Sequence, residues 1–165
     1  PPRSTLFPYT TLFRSEIRFA AAQAGVYRAR LAVGSGSAEI AAGDRPLAET
    51  ADRTTPLSLF SSPIVRWFYV CRDAAEFAVA ARDGGPTEPA LIRIVAPDGR
   101  VAFERDGNWD ARPFAVPVRP ADQGKAWRLE CVPVQDVSLW LAGAVCPHLS
   151  PDPGLVPVPL RELAR

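Results

Sequence analysis

Eighteen prolines and eleven glycines spread through 165 residues restrict what this chain can build. Proline removes a backbone donor and clashes inside a helix, and glycine costs about 1 kcal/mol there relative to alanine. Long helices are therefore disfavoured, and short strands joined by turns remain. The strands show themselves by period-two alternation of apolar and polar side chains.

In "VYRARLAV" (26–33), Tyr27, Ala29, Leu31 and Val33 face one way and Arg28 and Arg30 the other. "GSGS" (34–37) follows as a turn, "AEIAAG" (38–43) is a candidate return strand, and the Pro-broken "DRPLAETADRTTP" (44–56) reads as a loop. "PIVRWFYVCR" (63–72) is the most β-prone stretch, rich in branched and aromatic residues that suit a packed pleat. "AEFAVAAR" (75–82) alternates again, so the spacing predicts a hairpin between the two through "RDA".

"ALIRIVAPDGRVAFER" (90–105) sets two apolar runs around Pro97-Asp98-Gly99, a turn in which proline presets its φ and glycine accepts a positive one. "PFAVPV" (113–118), "AWRLECV" (126–132) and "VSLWLAGAV" (137–145) add three more strands. The tail "CPHLSPDPGLVPVPLRELAR" (146–165) reads as extended along the surface, with "LRELAR" a final helical turn. About eight short strands so punctuated predict an all-β fold, an antiparallel β-sandwich of jelly-roll type.

The opening segment differs from the rest. "TLFPYTTLFRS" (5–15) has no periodicity and resembles an in-frame translation of a sequencing adapter, so residues 1–15 are expected to be non-native and are set aside. The sandwich module is then expected over 16–156, with 157–165 as a C-terminal tail. No methionine occurs anywhere, which suggests that upstream sequence, including any signal peptide, is missing. Without Arg3 and Arg14 the net charge changes from +1 to −1. Scattered arginines and the single Lys125 form no basic stripe, so nucleic acid is not an expected partner. No apolar run reaches about 18 residues, so no membrane-spanning helix is expected.

Reaction chemistry finds little support. Nucleophilic catalysis needs a base within hydrogen-bond reach, and the single imidazole is His148, flanked by Cys146 and Ser150 in an extended, Pro-rich segment. No G-x-S-x-G elbow is present. Glu104, Asp106 and Asp110 cluster in "ERDGNWD", where turn chemistry explains Asp, Gly and Asn better than a pair of catalytic acids does. Asp106, Asn108 and Asp110 also offer alternating oxygens for Ca²⁺ but lack the closing glutamate of an EF-hand. One histidine and three dispersed cysteines do not make a zinc set. Neither a metal nor a cofactor is expected. Cys71, Cys131 and Cys146 read as small apolar core residues; the other reading is one disulfide in an exported module, with Cys71–Cys146 as the first pair to consider.

"RWFYVCRDAAEFAVAARDGG", "IVAPDGRVAFERDG", "GKAWRLEC" and "GAVCPHLSPDPGLV" together resemble the C-terminal β-sandwich accessory modules of bacterial secreted proteins, including predicted glycoside hydrolases. The likeness covers roughly residues 64–156, with Cys71 standing where such modules carry proline. The resemblance implies a noncatalytic, secreted or cell-surface module that binds polysaccharide or packs against an upstream catalytic domain. The alternative is a purely structural or interaction domain without a ligand. Sugar recognition uses exposed aromatic faces with a few polar neighbours, which points to Trp109 with Asn108 and Asp110. Trp67, Trp127 and Trp140 lie within strands and are expected in the core.

Overall fold

The computed structural model describes Tyr27, residues 47–85 and residues 87–163. The chain divides into two units, Pro1–Ile40 and Ala41–Arg165, and the fold below belongs to the second. Apart from Tyr27, the expected strands at 26–33 and 38–43 lie outside the described residues, as does the boundary after Ser15.

Among the described residues ten strands follow one another: β1 (Glu49–Thr50), β2 (Leu57–Phe60), β3 (Ile64–Val70), β4 (Glu76–Asp83), β5 (Ala90–Val95), β6 (Val101–Arg105), β7 (Phe114–Pro117), β8 (Lys125–Pro133), β9 (Asp136–Gly143) and β10 (His148–Leu149). Sheet I has the order β2-β9-β4-β7 and sheet II the order β3-β8-β5-β6, while β1 pairs with β10. The partners are nested. β5 pairs with β6, β4 with β7, β3 with β8, β2 with β9 and β1 with β10, all antiparallel. The chain is thus one long hairpin rolled so that successive pairs fall alternately into the two sheets, with β4–β9 and β5–β8 closing each sheet. This is a jelly roll, as the alternation of the sequence predicts.

The tip of that hairpin is the Pro97-Asp98-Gly99 turn. Gly99 takes φ of +85°, and its N–H donates to the Ala96 carbonyl at 2.9 Å. Asp98 Oδ1 accepts the Arg100 N–H at 3.0 Å, and Arg100 Nη2 reaches buried Asp122 at 2.9 Å, tying the tip to the connection between β7 and β8.

The expected hairpin between β3 and β4 does not form, because the two strands belong to different sheets. Each carries one strongly apolar side: Phe68 and Val70 on β3, and Phe77, Val79 and Ala81 on β4. Placed opposite one another across the core, these sides bury each other. Phe68 meets Phe77 edge-on at 5.5 Å, and Phe77 meets Trp127 at 5.5 Å and 90°. Ile92, Ile94, Leu129, Val116, Leu139 and Leu141 fill the remaining space between the sheets.

Two further expectations are corrected. The 44–56 loop contains β1, and the tail does not simply trail along the surface. Trp67 and Ser150 exchange backbone hydrogen bonds of 2.8 Å in both directions, and Leu149 and Ser150 are fully buried. The tail therefore lengthens sheet II beyond β3. The predicted terminal turn is present as α1 (Leu160–Leu163).

Candidate functional site

The loop between β6 and β7 brings the expected ligand residues together but turns the main one inward. Trp109, Asn108 and Asp110 line an open depression of about 510 Å³ with Asp83, Gly85 and Arg105. Asn108 and Asp110 are exposed, whereas Trp109 is only 3% exposed. Its indole packs against Phe114 at 5.5 Å and Phe103 at 6.3 Å, closing the β6–β7 side of the sandwich. The Nε1–H donates to the Ala90 carbonyl at 2.9 Å, and the backbone N–H donates to Asp83 Oδ2 at 2.7 Å. Above the rings lies Arg105, whose guanidinium carbon is 4.5 Å from the Phe114 centroid and 5.2 Å from that of Trp109. An indole so covered is a plug rather than a stacking platform.

The strand tryptophans correct the opposite expectation. Trp127 is in the core, its Nε1–H donating to the Asp122 carbonyl at 2.9 Å, but Trp67 and Trp140 are half-buried on outer faces. Along β9 the inward positions are Val137, Leu139 and Leu141, which leaves Ser138, Trp140 and Ala142 on the other side. Alternation within "VSLWLAG" carries this signal, since a residue between two core leucines of one strand must face away from them.

Trp140 stands opposite Ala80 of β4, with Ala78 opposite Ala142 on one side and Arg82 opposite Ser138 on the other. Ser58 of β2 pairs with Ser138, their hydroxyl oxygens 3.3 Å apart. Ser58, Arg82, Asp136 and Ser138 help to line a second open depression of about 370 Å³. Asp83 borders both depressions. The outer face of sheet I thus offers an indole on a floor of small side chains, next to a hollow with two hydroxyls, a guanidinium and a carboxylate. Such a surface suits a ligand with apolar faces and hydroxyl edges.

The remaining expected groups do not assemble. Ser150 Oγ donates to the Asp152 carbonyl at 2.8 Å and accepts the Asp152 N–H at 3.1 Å, so its hydroxyl serves a turn. His148 is half-buried in β10 opposite Thr50. Asp110 Oδ1 accepts the Arg112 N–H at 3.1 Å, also a turn contact. Among the described residues no three His, Cys, Asp or Glu side chains converge on a point where a metal would sit. Cys71, Cys131 and Cys146 are free and buried. Burial pushes the Cys131 thiol up to about 12 and also raises that of Cys146, so neither is a ready nucleophile while it stays covered.

No protein-family model matches the chain, and no curated protein matches it. Among solved structures, a chain of infectious bursal disease virus, Gx strain, is 14% identical, with 68% of this chain covered and a TM-score of 0.17. The alignment takes in 32% of that chain, so this protein spans about a third of its length. A likeness of that size carries no argument about either fold or function.

Proposed function

We propose that this protein is a noncatalytic accessory module of a larger secreted bacterial protein, and that it binds carbohydrate on the outer face of sheet I. The observation behind the reading is Trp140, an indole turned out of the core beside the Ser58, Arg82, Asp136 and Ser138 hollow. A pyranose ring would lay its C–H face on the indole. Its hydroxyls would then meet the Ser58 and Ser138 side chains, the Arg82 guanidinium as donor and the Asp136 carboxylate as acceptor. No step of bond cleavage belongs to this reading.

Affinity electrophoresis against xylan, mannan, β-glucan and pectin tests it. Retardation by at least one polymer is expected, weakened about tenfold or more by Trp140→Ala, the scale of one aromatic contact. Trp109→Phe is expected to leave binding unchanged. If none of the polymers retards the protein, or if Trp140→Ala binds like wild type, the reading fails and a structural module without a sugar ligand takes its place.

A further inference from the structure

Away from the proposed ligand face, two thiols meet beneath the C-terminal segment. Val70, the last residue of β3, pairs with Val145, and this contact is closed by Cys71 N–H to the Ala144 carbonyl at 3.1 Å and Cys146 N–H to the Tyr69 carbonyl at 2.8 Å. Cys71 therefore stands opposite Ala144 and Cys146 opposite Tyr69. The two cysteines occupy diagonal positions of one antiparallel contact, on the same side of it. Both are free and buried.

The segment at α1 lies over them. Arg161 Nη2 donates to Cys71 Sγ at 3.4 Å. Glu162 is 2% exposed, and its Oε2 accepts from the Arg72 N–H at 3.2 Å and the Tyr69 hydroxyl at 3.5 Å, with Arg72 Nε 3.9 Å away. This short helix buries its glutamate and leaves Leu160 and Leu163 mostly exposed. It is held down by a few polar contacts to residues 69–72 rather than by apolar packing. A short segment held in that way opens at far lower cost than the sandwich.

We propose that Cys71 and Cys146 form a paired oxidation site, covered by the 160–163 strap and converted to an intramolecular disulfide by a peroxide when the strap lifts. The Cys71 sulfur attacks first, because it is the sulfur that the Arg161 guanidinium covers and that the lifting strap lays bare. An S–O bond forms as the O–O bond breaks, and the leaving hydroxide departs as water with the thiol proton. The Cys146 sulfur then attacks the resulting sulfenic acid, the S–S bond forms, the S–O bond breaks, and a second water leaves. The two sulfurs give up two electrons and the peroxide takes both. Diagonal neighbours lie about 7–8 Å apart at Cα, while disulfides span roughly 4.4–6.8 Å, so the backbone must close in by about an ångström. In the disulfide Cys71 Sγ is no longer a thiol for Arg161 to hold, and the strap loses one of its contacts.

The experiment treats the full chain with one equivalent of hydrogen peroxide, blocks the remaining thiols after denaturation and maps the peptides by mass spectrometry. A Cys71–Cys146 cross-linked peptide is expected, with Cys131 recovered as a blocked free thiol. Glu162→Gln is expected to speed the reaction about tenfold, the equivalent of one weakened charge-assisted hydrogen bond. A chain ending at Pro159 does the same should that variant fail to fold. In Cys146→Ser the reaction stops at a Cys71 sulfenic acid trapped by a 1,3-dione. A bond that involves Cys131 or a second chain, unchanged rates in the folded strap variants, or an unmodified Cys71 in Cys146→Ser would overturn the proposal.

Discussion

The two sheets present similar apolar surfaces to each other but very different surfaces to the outside. On the outer side of sheet II, Arg93 stands opposite Glu104 on one neighbouring strand and Glu130 on the other, and Arg128 also pairs with Glu130. The Glu104 contact, then that with Glu130, raises the Arg93 pKa above the ordinary arginine value. Every charge in this ladder has its partner in place. The outer side of sheet I instead carries Ala78, Ala80, Ala115 and Ala142 around Trp140, with Arg82, Ser138 and Ser58 toward one end. The outer side of sheet II sets its central charges against one another, whereas that of sheet I sets an aromatic ring among alanines, next to the Ser58, Arg82, Asp136 and Ser138 hollow. The difference is what supports the proposed binding on sheet I.

Substitution of three of the four tryptophans probes this difference, beginning where the effect is largest. Trp127→Ala removes a core ring that bridges the sheets and is expected to cost about 4–5 kcal/mol in urea unfolding, and Trp109→Ala about 3 kcal/mol. A Trp109 variant as stable as wild type would show that the ring does not plug the β6–β7 side of the sandwich. Next comes pH. The Cys131 thiol on the inner side of sheet II is raised from 9.0 to about 12 by burial. The unfolded chain therefore loses this proton first, and the contribution is present below pH 9 and falls away as pH climbs toward 12. Thermal melts of wild type and Cys131→Val should diverge only above pH 9, with the valine variant falling less steeply.

Trp140→Ala is expected to cost only about 1 kcal/mol, because the ring is half-buried, while removing polysaccharide binding. A loss of several kcal/mol would place it among the structural tryptophans. The smallest effect belongs to the ladder: Glu130→Gln should change stability by less than about 1 kcal/mol, shrinking further in 1 M salt.

The parts of the fold legible in the sequence are those governed by neighbours along the chain. The β5–β6 hairpin follows from Pro97-Asp98-Gly99, and the inner and outer sides of β4, β8 and β9 follow from alternation. The β3–β4 connection is different, since a tight link between strands that pair and one between strands that face each other across a core carry the same turn residues. Choosing between them requires the whole nested pairing.

The tryptophans divide along the same line. That Trp140 points outward was available from Leu139 and Leu141 on either side of it. The inward turn of Trp109 depends on the Asp83 carboxylate and the Ala90 carbonyl, 26 and 19 residues away, and no local pattern reveals it.

Indole N–H chemical shifts during a titration with whichever polysaccharide retards the protein provide the most direct test. The Trp140 resonance should move and saturate, while those of Trp109 and Trp127, bound to the Ala90 and Asp122 carbonyls, stay where they are. Movement of Trp109 with Trp140 unchanged would contradict the assignment of binding to sheet I.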